Sequence, residues 1–123
     1  MIFGIGVDIS EVSRFEKWVK NKDLLCRFFN EQEMSDKESV SLLCQHYAAR
    51  FAAKEAFSKA LGTGILGFNL TEVFVTHDKL GKPELMLTGK AKEKFEEICG
   101  EGKIHLSLSH EKNNAIAFVV IEK

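Results

Sequence analysis

The chain has 123 residues, 45% of them apolar and 28% charged, with one proline and a net charge of −1. This is the composition of one folded domain spanning residues 1–123; it excludes a disordered chain and argues against a general nucleic-acid binder, which carries a large basic excess. A domain of this size buries roughly two-thirds of the surface its unfolded chain exposes, so a sizeable substrate site is expected to draw on a neighbouring subunit.

The first predicted element is a strand. Phe3, Ile5, Val7 and Ile9 alternate with Gly4, Gly6 and Asp8, giving one apolar face and one face of glycines that ends in a carboxylate. Glycines in such a row imply that another group approaches closely. The same segment has no basic start and no long apolar run, so no signal peptide is expected. No stretch approaches the roughly 20 apolar residues of a membrane span. The expectation is a cytoplasmic protein with no membrane partner.

Ser10 is next expected to cap a helix with Val12, Phe15 and Val19 on one side and Arg14, Lys17 and Lys20 on the other. Leu24, Leu25, Phe28 and Phe29 continue the core, and Asn30 with Glu33 three positions on reads as a capping box. The longest helical pattern runs from about Ser39 to Leu61 and is ended by Gly62-Thr63-Gly64. Two strands, Val73 to Thr76 and Glu84 to Leu87, are joined by a long turn through Asp78, Gly81 and Pro83. A helix from Lys90 to Cys99 follows. Strands Ile104 to Ser109 and Ala115 to Ile121 then close the chain around a polar turn. The order predicts an α+β fold with an antiparallel sheet packed against the long helix. Cys26, Cys44 and Cys99 form no CxxC pair and are expected to be reduced thiols in the core.

Chemistry-bearing residues stand out at three places. At 100° per residue Glu55 falls on the same side of the long helix as Ala48, Phe51 and Ala52, where a carboxylate needs a partner. Lys59, one turn on, offers an ordinary helical ion pair. Asp8 offers a different account: two carboxylates sharing a site favour a hard divalent cation. In the penultimate strand His105, Ser107 and Ser109 alternate with apolar residues and present hydrogen-bonding groups on one face, as a solvated strand also would. Gly62-Thr63-Gly64 is no Walker loop, because its glycines follow Lys59 and sit at a helix C-terminus.

Gly6-Val7-Asp8-Ile9 followed by Arg14, the run Arg50-Phe51-Ala52-Ala53-Lys54-Glu55-Ala56-Phe57-Ser58-Lys59-Ala60-Leu61-Gly62-Thr63-Gly64, Gly81-Lys82-Pro83 and Ser107-Leu108-Ser109-His110 together resemble the successive motifs of holo-acyl-carrier-protein synthases, in the 4'-phosphopantetheinyl transferase superfamily. The resemblance spans nearly the whole chain. It implies that the chain transfers 4'-phosphopantetheine from coenzyme A to a serine of apo-acyl carrier protein, with 3',5'-ADP leaving. It also implies that Asp8 and Glu55 hold Mg2+ against the pyrophosphate while Lys59 neutralises phosphate charge. A metal and a fixed cation suit the charge that develops in phosphoryl transfer. The general base stays open between Glu55 and a metal-bound water.

Coenzyme A contacts are expected from Arg50, Lys59, Gly62, His105 and Ser107, with Arg50 and His105 at the 3'-phosphate. Segment 14–27 carries five basic residues against two acidic ones; of these Arg14, Lys17, Lys20 and Arg27 are expected to meet the acidic carrier protein, Arg14 from the resemblance and the others from spacing. The family's habit implies a homotrimer with active sites shared between subunits. The competing readings are a coenzyme A or nucleotide-binding module without transfer, which has no need of two metal carboxylates, and an adaptor for acidic proteins, which leaves Glu55, Lys59 and His105 without a role.

Overall fold

The long helix organises the molecule, and the computed structural model describes it within residues 1–123. Helix α2 (Val40–Leu61) starts where the Ser39 hydroxyl accepts the Leu42 N–H, and it ends at Gly62, whose φ of 88° is left-handed backbone that glycine adopts without a Cβ clash. Its interior is rich in alanine: Ala48, Ala52, Ala53 and Ala56 are all fully buried. Small side chains let other elements come close to the helix axis.

Strands β1 (Ile2–Glu11), β4 (Lys103–His110) and β5 (Asn114–Glu122) form an antiparallel sheet in the order β1-β5-β4, packed on α2. The glycine face of β1 is the inward one. A Cβ on Gly4 would stand 1.9 Å from the Ala60 carbonyl oxygen, and one on Gly6 2.0 Å from that of Ala56, so helix backbone rests directly on strand backbone. The alternate row faces out: Phe3, Ile5, Val7 and Ile9 are between 37% and 61% exposed. Ile116 and Phe118 of β5 extend this apolar outer face.

Strands β2 (Val73–His77) and β3 (Pro83–Leu87) make a separate two-stranded antiparallel sheet. The Asp78 carboxylate organises their loop by accepting from the Leu80 and Lys82 N–H groups at 2.8 and 2.9 Å. Helices α1 (Lys22–Phe28) and α3 (Gly89–Cys99) complete the α+β architecture. No helix is long and apolar enough to cross a membrane.

Two expectations are corrected. Ser10 caps no helix: it lies buried in β1, which continues pairing through Glu11 with Asn114, and Val12–Phe15 form only a short 3-10 turn. The ladder with β5 satisfies the backbone that a cap would have served, and tertiary pairing prevails over local capping. Cys44 and Cys99 are buried thiols, but Cys26 is exposed on α1. The Asn30–Glu33 capping box is present, with Glu33 itself buried.

Candidate active site

Asp8 follows Gly6 on the inward face of β1, so the strand that lies closest to α2 delivers its carboxylate to the helix. There the Lys59 ammonium donates to Asp8 Oδ1 at 3.1 Å and to the Val7 carbonyl at 3.1 Å. Asp8 is partly shielded and Lys59 half-exposed. The alternative of a helical Glu55–Lys59 ion pair is not what forms, since the salt bridge of Lys59 is with Asp8. Glu55 stands near both: its carboxyl is pushed above the ordinary range by burial first and by the Asp8 charge second, against the pull of Lys59 and Arg14. Asp8, Glu55 and Lys59 thus converge from a strand and a helix far apart in sequence.

No group of three or more histidine, cysteine or carboxylate side chains is placed to hold a metal ion by itself. A pair of carboxylates suits Mg2+, which keeps several waters and shares its remaining positions with phosphate oxygens. The donor set therefore fits that ion. Gly62 caps the same helix one turn beyond Lys59, and nothing lies within 4 Å of where its Cβ would be.

Arg14 connects this centre to the basic segment. Its guanidinium stacks 4.9 Å from the centre of the Phe51 ring and 5.9 Å from that of Trp18. Trp18 in turn packs on Phe28, which brings α1 and its last-turn Arg27 against the segment carrying Lys17 and Lys20. All four basic side chains belong to exposed residues.

Arg50 occupies a different cleft, lined also by His46, His77, Pro83, Leu108 and His110. One guanidinium nitrogen donates to the His46 carbonyl at 3.2 Å, while Nε is buried without a partner. Burial, and then the Arg50 charge, push His46 down to about 4, so it is neutral near pH 7, and its Nε2 donates to the Glu33 carbonyl at 2.6 Å. His77 is lowered by the same two causes in the same order. Sequence reasoning gave His46 and His77 no role; His46 carried the signal of lying one helical turn before Arg50, and His77 carried none. His110 was visible in the Ser107–His110 motif.

His105 and Ser107 lie elsewhere again. Across the sheet Ile5, Val120 and His105 are in register, as are Val7, Phe118 and Ser107. That row is the outer face, while Asp8, Ala117 and Leu108 share the inner one. His105 Nε2 donates to Glu122 Oε1 at 3.0 Å, in a cleft between β3 and β4 that includes Lys82, Pro83 and Ser107. Within one chain the sheet separates His105 and Ser107 from Asp8 and Glu55, while Lys59 reaches round the β1 edge to a pocket it lines with Ile5, Val7 and Phe118.

A model of the 4'-phosphopantetheinyl transferase superfamily matches residues 4–119. A holo-acyl-carrier-protein synthase of Treponema denticola is 51% identical, with 99% of each chain covered. One from Geotalea daltonii is 50% identical over the whole of both chains. Among solved structures, a Bacillus anthracis holo-acyl-carrier-protein synthase in complex with coenzyme A (3',5'-ADP) superposes with a TM-score of 0.78 at 38% identity, covering 100% of this chain and 98% of that one. The Plasmodium yoelii holo-ACP-synthase reaches 0.84 at 33% identity, covering 100% and 97%. Sharing sequence and fold with these enzymes over its full length, the chain belongs to the 4'-phosphopantetheinyl transferase superfamily.

Proposed function

We propose that the chain is a cytoplasmic holo-acyl-carrier-protein synthase that transfers 4'-phosphopantetheine from coenzyme A to a serine of apo-acyl carrier protein, making the holo carrier for fatty acid synthesis. The observation that carries this reading is the convergence of Asp8, Glu55 and Lys59 in a chain similar over its full length to such synthases. The serine oxygen bonds to the β-phosphorus as the bond from that phosphorus to the bridging oxygen breaks, and 3',5'-ADP leaves with the electron pair. Mg2+, held by Asp8 and Glu55, supplies charge neutralisation at the pyrophosphate when bound. Lys59 adds a cation that can turn from Asp8 to phosphate. The serine proton goes to Glu55 or to a water beside it.

Arg50 offers the 3'-phosphate a guanidinium, and the open space beside Gly62 admits the substrate next to Lys59. His105 and Ser107 contribute from an adjacent subunit of a homotrimer. The support for that sharing is twofold: the outer sheet face is apolar and exposed, and His105 and Ser107 sit on that face, across the sheet from Asp8. Arg14, Lys17, Lys20 and Arg27 receive the acidic carrier protein. The test is to incubate the protein with coenzyme A, Mg2+ and apo-acyl carrier protein and to weigh the carrier. A carrier heavier by one phosphopantetheine is expected; an unchanged mass with coenzyme A still bound would reduce the chain to a binding module.

A further inference from the structure

The Lys54 side chain is fully buried, although it neighbours Glu55 in sequence and has no part in the reaction described above. Its three ammonium protons have three acceptors: Glu33 Oε1 at 2.6 Å, the Leu70 carbonyl at 3.0 Å and the Val73 carbonyl. Glu33 is equally satisfied. Oε1 also takes the Asn30 N–H at 3.0 Å, Oε2 takes the Val75 N–H at 3.1 Å, and the backbone carbonyl takes His46 Nε2 at 2.6 Å. One buried residue therefore grips α2 at two points, His46 and Lys54, and joins both to the start of β2.

Desolvation offsets most of what such a pair gains in attraction, so stability alone is a weak reason for it. Orientation is a better one. At the β1 seam α2 presents Ala56 and Ala60 to glycines, so few side chains interlock there to set how the helix is rotated, although Phe51 and Phe57 pack into aromatic clusters on its other sides. A rotation of about 20° would move a carboxylate about 6 Å from the helix axis by about 2 Å, given helix geometry. Misplacement by about 1 Å can cost about a hundredfold in rate.

We propose that the buried Lys54–Glu33 pair is a positioning device that fixes the rotation of α2, so that Glu55 faces Asp8 across the β1 seam. Lys54 points to the β2 side while Glu55, about 100° further round the helix, points to the sheet. Hydrogen bonds are directional where alanine packing is not, and three of them hold Lys54. The inference rests on Asp8 and Glu55 forming the metal pair.

The experiment uses the full chain. Equilibrium binding of Mn2+, followed by its paramagnetic signal without coenzyme A or carrier, is measured for the natural protein and for Lys54→Met. It is paired with kcat and with KM for the carrier. The expected result for folded Lys54→Met is Mn2+ affinity lower by about tenfold and kcat lower by about a hundredfold, with carrier KM unchanged. Should Lys54→Met fail to fold because Glu33 is left as an unpaired buried charge, the neutral double variant Glu33→Gln/Lys54→Met is read in the same way. Natural Mn2+ affinity and kcat in either folded variant would overturn the proposal. So would failure of both to fold, which assigns the pair to stability alone. If the natural protein itself binds no Mn2+, it is the metal reading that fails.

Discussion

The ammonium of Lys59 on α2 pairs with the carboxylate of Asp8 on β1 at 3.1 Å, across 51 residues of sequence, and leaves Glu55, one helical turn away, without that partner. A cation on Asp8 competes with any metal ion for the same carboxylate. Lys59→Met should therefore act in opposite directions on two measurements. Mn2+ affinity in the absence of substrate should rise by up to about tenfold as the local charge becomes more negative, while transfer should fall by about a hundredfold or more as phosphate loses its cation. Parallel losses in both would show that Lys59 supports the fold instead.

Asp8→Ala and Glu55→Gln should each remove most transfer with the thermal midpoint little changed, because each deletes a charge and neither opens a core cavity. Loss of a metal's charge stabilisation is worth several kcal/mol, or orders of magnitude in rate. Near-normal activity of Glu55→Gln at ordinary Mg2+ would contradict the metal assignment.

Gly6→Ala adds only a methyl group, but places it 2.0 Å from the Ala56 carbonyl oxygen, which is backbone and cannot turn aside. Relief requires β1 to move off α2. A loss of about 3 kcal/mol in urea unfolding is expected, with transfer reduced as well because Asp8 travels with the strand. A variant of normal stability would mean that the strand–helix seam is looser than described.

Sharing of the site is testable by mixing. Asp8→Ala and His105→Ala chains, each inactive, should regain activity when unfolded and refolded together in equal amounts. Random cyclic assembly leaves about a quarter of interfaces with both halves intact. Confirmed mixed trimers without activity would refute sharing, and a monomeric mass at assay concentration would refute the trimer.

Acid should weaken the fold through His46. Its folded value of about 4 lies below the ordinary 6.5, so between these limits the unfolded chain holds a proton that the native chain does not. The stability tied to neutral His46 is present above about pH 6.5 and is lost as pH falls towards 4. Arg50, Lys37 and His77 face it with positive or protonatable groups and act in the same sense. His46→Gln, which can still donate to the Glu33 carbonyl, should flatten the dependence of the thermal midpoint between pH 7 and pH 5. An unchanged slope would exclude His46 as its source.

Local signals sufficed wherever the deciding groups are neighbours in the chain. Ser39 and Gly62 bound α2 because caps act within one turn, the Asn30–Glu33 box formed as read, and the alternation of β4 and β5 produced paired strands close to the expected limits. The carboxylates and the lysine of the candidate site were visible too, as residue types in unusual places. The rest depended on which surfaces meet. Period-2 alternation divides a strand into two faces without saying which lies inside; in β1 the glycines turned inward because only they admit the backbone of α2, and this left the apolar row outside and put His105 across the sheet from Asp8. Ser10 lost its helix to a ladder bond with a strand more than a hundred residues away, Lys59 chose Asp8 over Glu55, and Lys54 found Glu33 21 residues upstream. Each of those outcomes is decided only when packing brings the distant partner within hydrogen-bond reach.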